Sequence, residues 1–79
     1  GFAFDNFRYS PNPVKSVLRL TDDSTIESIT VSSVLGQTVL EKSIHSLDAD
    51  IDFSALSPGV YLVKATANAS TKTFKVVKE

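Results

Sequence analysis

The sequence predicts an all-β, antiparallel sandwich. Three observations carry this: about seven short apolar runs with period-two or β-branched character, turn signals at roughly 8–12-residue intervals, and no stretch with helical periodicity. The best strand follows the turn in Ser57-Pro58-Gly59-Val60-Tyr61-Leu62-Val63-Lys64. Proline with its fixed φ, then glycine, suits the two central positions of a type II turn, so a strand is expected to start at Val60. Tyr61, Val63 and Ala65 then alternate with Val60, Leu62 and Lys64. Both faces are apolar over most of that length, which predicts a central strand.

Taken in order, Phe7 and Tyr9 share one side of a short first strand. Ser10-Pro11-Asn12-Pro13 interrupts regular structure, because each proline removes a donor and biases the residue before it towards extended backbone. Residues 14–20 form the next predicted strand, with Ser16, Leu18 and Leu20 alternating with Val17 and Arg19. Thr21-Asp22-Asp23-Ser24-Thr25 reads as a polar loop. Residues 26–33 alternate Ile29 and Val31 with Ser28, Thr30 and Ser32, a half-buried strand. Leu35-Gly36 then suits a hairpin whose αL position lacks a Cβ, returning through residues 37–44 with Val39 inward. Residues 48–53 place Ala49, Ile51 and Phe53 opposite Asp48, Asp50 and Asp52, and Leu56 plugs one end of the core. Asn68-Ala69-Ser70 supplies a turn, and residues 71–78 close the fold, with Phe74 and Val76 inward and Lys72, Lys75, Val77 and Lys78 on the other face or tip.

The 79 residues make one small domain. A core of this size supplies only roughly 3–5 kcal/mol net. With no cysteine, neither a disulfide nor a thiolate metal site can reinforce it. The net charge is −1 and both signs are dispersed, which argues against nucleic acid and anionic membranes as partners. No apolar run approaches the ~18–20 residues needed to span a bilayer as a helix, and no basic segment followed by an apolar one opens the chain, so any first export label is expected elsewhere. The start Gly1-Phe2-Ala3-Phe4 is that expected of a piece of a longer protein.

Asp48, Asp50 and Asp52 have the spacing of the first half of a calcium loop. Phe53 stands where that loop needs glycine and Gly59 where it needs glutamate, so a solvated strand face that discourages edge pairing is the expectation. His45 is the single histidine, and no serine sits on a glycine-flanked elbow, which leaves it a surface residue. Tyr9 and Tyr61 would make a sugar-stacking platform if exposed; burial is expected for Tyr61. Asn68-Ala69-Ser70 has the form of a glycosylation sequon and reads as a turn. No catalytic residues, cofactor site or metal site emerge, so no enzyme is predicted.

Five segments recur together: Tyr9-Ser10-Pro11-Asn12-Pro13; Leu18-Arg19-Leu20; Leu35-Gly36-Gln37-Thr38-Val39; Leu56-Ser57-Pro58-Gly59-Val60-Tyr61-Leu62-Val63-Lys64; and Phe74-Lys75-Val76-Val77-Lys78. In this order and spacing the chain from Phe7 onward resembles the type A C-terminal sorting domain of the type IX secretion system of Bacteroidetes. Glu79, after the lysine that commonly ends such domains, is the departure. The resemblance implies a seven-stranded Greek-key, immunoglobulin-like sandwich spanning residues 7–79, with residues 1–6 a linker remnant. It implies a secretion address rather than a catalyst. Partners would be the type IX translocon, its outer-membrane shuttle and sortase proteins, and an N-terminal cargo domain, with the sorting domain itself a monomer that does not insert into the membrane. Location would be the periplasm in transit, then the cell surface or medium, with any cut upstream of Phe7.

Carried over by position, the matching residues are Pro11, Asn12, Pro13, Gly36, Gly59, Tyr61, Lys64, Lys75 and Lys78. Pro11, Gly36 and Gly59 have sufficient backbone reasons to be what they are, and Pro58 joins Gly59 in the turn. Lys75 and Lys78 have none. They are expected as flexible charges that contact the translocon, together with Pro11, Asn12 and Pro13 if the fold brings them close. The rival reading is an immunoglobulin-like or fibronectin-like module binding carbohydrate or another cell; a third is a plain spacer. Fold alone does not separate them.

Overall fold

The computed structural model describes residues 6–79. The linker expectation falls, apart from Asn6, outside those residues. Five strands form one antiparallel sheet: β1 (Arg8–Ser10), β2 (Val17–Ser33), β3 (Thr38–Asp52), β4 (Gly59–Ala67) and β5 (Ser70–Lys78). The order is β1-β2-β4-β5, with β3 also paired to β2. The expected seven strands of a Greek-key, immunoglobulin-like sandwich are thus corrected to five. Predicted strands 14–20 and 26–33 are two halves of β2, and 37–44 and 48–53 are two halves of β3.

Bulges explain the difference. Thr21 pairs with Asp48 and Ile26 with Ser46, so five steps along β2 face two along β3, and the polar stretch, Asp22 buried within it, is absorbed as an irregularity of the strand instead of a chain reversal. Ile26 then pairs with Ser46 and Ser28 with Ser43, which puts one extra residue into β3. His45 sits there with φ +53°, the left-handed conformation that lets a strand carry such a residue. The inward parity of β2 is kept across the first irregularity and switches at the second. Leu18, Leu20 and Ile26 are buried on one side of the bend in β2, and Ile29 and Val31 on the other.

At ~3.3 Å per residue the 17 residues of β2 would span about 56 Å if straight. The molecule's longest dimension is 35 Å, so the strand bends. One half of β2 holds β1, the other holds β4, and β3 follows β2 round the bend. A single core, including Leu18, Ile29, Ile51, Phe53, Val63 and Val76, lies inside it. Leu56 packs against that core as expected. Val39 does not: a further register shift between Val31 and Ser32 turns it outward, and Leu40 packs inward in its place.

Turn chemistry matches the sequence closely in two places. Gly36 (φ +87°) closes the β2–β3 hairpin, its N–H donating to the Ser33 carbonyl (2.9 Å) and the Ser33 N–H to the Gln37 carbonyl (2.8 Å). Asn68 (φ +50°) and Ala69 (φ +63°) are the paired left-handed residues of a two-residue type I′ turn between β4 and β5.

Candidate functional site

The first site residues come together through Asn12. Its Nδ2 donates to the Lys75 carbonyl (3.2 Å), and its Oδ1 accepts from the Val77 N–H (3.0 Å). A side-chain amide presents donor and acceptor as a peptide unit does, so Asn12 acts as one rung of a strand against the outer edge of β5. Val14 continues the ladder: its N–H donates to the Val77 carbonyl (2.8 Å), and its carbonyl accepts from the Glu79 N–H (2.9 Å). Asn12 and Val14 thereby cover an edge that would otherwise invite another strand. Pro11, Asn12, Pro13 and Lys75 all remain exposed.

Asn12→Asp tests this geometry. It keeps the acceptor for Val77 but sets a carboxylate oxygen against the Lys75 carbonyl, removing one hydrogen bond and adding repulsion. The expected loss is about 1–2 kcal/mol by urea denaturation, at least that of Asn12→Ala. A loss below about 0.3 kcal/mol would show that the amide is not holding β5.

Lys78 departs from expectation. It is only 8% exposed, its stem joins the inward row of Phe74 and Val76, and its Nζ donates to the Glu79 main-chain oxygen (2.8 Å). Its placement as a free surface charge is corrected: residues 74, 76 and 78 share parity, and β5 keeps that parity to its end. Lys75, of the other parity, is exposed as expected.

Pro58, Gly59, Tyr61 and Lys64, expected with Gly36 to be structural, lie in β4 or at its start. Tyr61 is buried, its hydroxyl donating to the Ser57 carbonyl (2.6 Å) and its ring meeting Phe53 edge-on at 6.0 Å. That bond ties Pro58 and the turn to the start of β4. Gly59 has φ +155°, far from the about +80° of a type II turn. The turn therefore differs from the predicted one, yet this conformation still suits glycine. Lys64 is exposed in the middle of β4, opposite Thr30 and Thr73.

The other candidates resolve differently. Asp48 and Asp50 are bridged by Arg19, whose Nη2 lies 2.9 Å from Asp48 and Nη1 2.8 Å from Asp50. The row is thus not purely repulsive. The sequence signal was the register, Arg19 opposite Asp50, which no reading along one strand reveals. Asp52 accepts from the Ser54 N–H (2.9 Å), and hydrogen bonding to Ser54 holds its carboxyl below the ordinary 3.8. No cluster of three metal-ligating residues occurs among the described residues. Tyr9 stacks on Phe74 at 4.1 Å and Phe7 packs on both rings, so Tyr9 and buried Tyr61 form no common platform.

The two-faced apolarity of β4 predicts a central strand, and β4 does pair on both edges, with β2 and β5. Tyr61, Val63 and Ala65 are buried, whereas Val60 and Leu62 are each 38% exposed and Val77, opposite Val60, is 37% exposed. β4 is interior to the sheet, with β2 and β5 on its two edges, but its outer face is open.

Comparison with curated proteins finds no match to this chain. Comparison with protein families matches the secretion system C-terminal sorting domain over residues 9–79, from Tyr9 through the Asn12 latch to the end of β5. The chain therefore belongs to the C-terminal sorting domains of the type IX secretion system and carries a secretion signal for that system.

Proposed function

We propose that this domain works as a folded export address, read at a surface made by Pro11, Asn12, Pro13 and Lys75, without catalysis. The observation that carries the reading is the pair of hydrogen bonds from Asn12 to β5: segments more than sixty positions apart in sequence are held as one exposed surface. Gly36, Pro58, Gly59 and Tyr61 act by building the scaffold. Lys78 acts through its buried stem, which fixes the end of β5 beside Val14. Lys64 stands on the outer face of β4, within reach of a docked partner.

In this reading the cargo precedes residue 7 and residues 1–6 link it to the domain. The cargo reaches the periplasm first, and the folded domain then meets the outer-membrane translocon and its shuttle. A sortase afterwards removes the domain upstream of Phe7, leaving cargo anchored at the surface or released. The domain acts as a monomer.

The test is a fusion of the whole chain, Gly1 to Glu79, behind a periplasm-directed fluorescent passenger in a bacterium that possesses the system. The passenger is expected at the cell surface or in the medium. An intact fusion that stays in the periplasm would refute the reading.

A further inference from the structure

Resting on the sorting function, we propose that the outer face where β4 meets β5 is the docking surface, with Val60, Leu62 and Val77 at its centre and Lys75 and Lys64 at its border. Its occupant is a folded protein of the export machinery that presents an apolar face ringed by carboxylates.

The face is continuous by register. Val60 pairs with Val77 and Leu62 with Lys75, while Val60 and Leu62, like Lys75 and Val77, are two residues apart on one side of their strands. The three apolar side chains are each between 37% and 38% exposed, although the same strands bury Tyr61, Val63, Phe74 and Val76 on the reverse. The core gains little from them, since polar β-branched residues would serve a solvent-facing strand equally well. Pro11, Asn12 and Pro13 form one rim, because Asn12 is bonded to the backbone at Lys75 and Val77.

Charge selects the occupant. Both ion pairs among the described residues belong to Arg19 with Asp48 and Asp50, away from this face. Lys64 and Lys75 make no ion pair among the described residues, so both cations are available to carboxylates that approach with an apolar surface. A second copy docking by the same face would bring Lys64 and Lys75 again and no carboxylate among the face's central and bordering residues, which leaves the cations unmatched and disfavours self-association. Lipid is disfavoured too: capture by an anionic bilayer takes a cluster of about 4–8 basic residues, and this chain has two there and a net charge of −1.

The experiment uses the complete chain fused to the periplasm-directed passenger. The triple variant Val60→Thr, Leu62→Thr, Val77→Thr keeps β-propensity and leaves the core untouched. Val17→Thr, at another exposed apolar position, is the control. Expected is an at least tenfold fall in exported passenger for the triple variant, on the order of truncating a hot-spot cluster. The control should export normally, and the melting midpoint of the triple variant should stay within about 5 °C of the parent. If the triple variant is less stable than that, Lys75→Glu alone decides, with an expected drop of about fivefold at unchanged stability. Export of the folded triple variant or of Lys75→Glu within about twofold of the parent overturns the proposal. So does a parent domain that self-associates or binds anionic vesicles through this face while the variant still exports. If the parent fusion itself is not exported, the sorting function fails and the docking face with it.

Discussion

Phe53→Ala is expected to unfold most of the domain at room temperature. Phe53 is fully buried at the end of β3, where its ring meets Tyr61 edge-on. Its N–H also donates to the Ser16 carbonyl (2.6 Å), so it joins the end of β3 to the segment entering β2. Removing a buried phenylalanine side chain costs about 3–5 kcal/mol from lost transfer energy and the cavity left behind. That equals the roughly 3–5 kcal/mol a core of this size supplies. Far-UV circular dichroism should show loss of the strand signal in Phe53→Ala. Phe53→Leu, closer in volume, should leave a cooperative transition weakened by about 1–2 kcal/mol. A native-like Phe53→Ala spectrum with an unchanged urea midpoint would mean the core is not centred where the fold places it.

Gly59→Val is expected to destabilise by about 1–3 kcal/mol, the cost of holding an L residue where φ is +155°. Space is not the obstacle. A Cβ at Gly59 would meet nothing within 4 Å, so the penalty is conformational. It follows that Gly59→Ala should lose most of what Gly59→Val loses, whereas a steric clash would make valine far worse. Urea denaturation of the two variants separates the explanations. Equal stability of parent and both variants would remove the reason for glycine at this position.

The parts of the fold visible in the sequence were those encoded locally. Gly36 and Asn68 announced their hairpins because a left-handed backbone has a residue preference, and period two correctly set Ala49, Ile51 and Phe53 against the aspartates. Bulges were less visible. His45 adopts a left-handed φ without the glycine that would signal it, and Thr21 to Thr25 has loop composition although the chain continues in the same strand. This is how five long strands came to look like seven short ones.

For the site, Pro11, Asn12 and Pro13 stood out, but the bonds from Asn12 to Lys75 and Val77 depend on segments far apart in sequence. Lys78 was misplaced because its charge was weighed above its parity with Phe74 and Val76. Val60 and Leu62 were legible as apolar, but not as exposed. Whether a second layer covers that face is a property of topology, and β2 and β5 flank β4 without covering it.

The account divides the family's marker residues into those that build the domain and those that are read. The most direct measurement is export of the fused passenger plotted against the fraction of folded domain, for Gly59→Val, Gly59→Ala and Phe53→Leu on one side and Lys75→Glu on the other. Scaffold variants are expected to lose export in proportion to lost folding, while Lys75→Glu falls well below that line at full stability. A Gly59 variant that remains folded yet fails to export, or a folded Lys75→Glu that exports normally, would contradict the division.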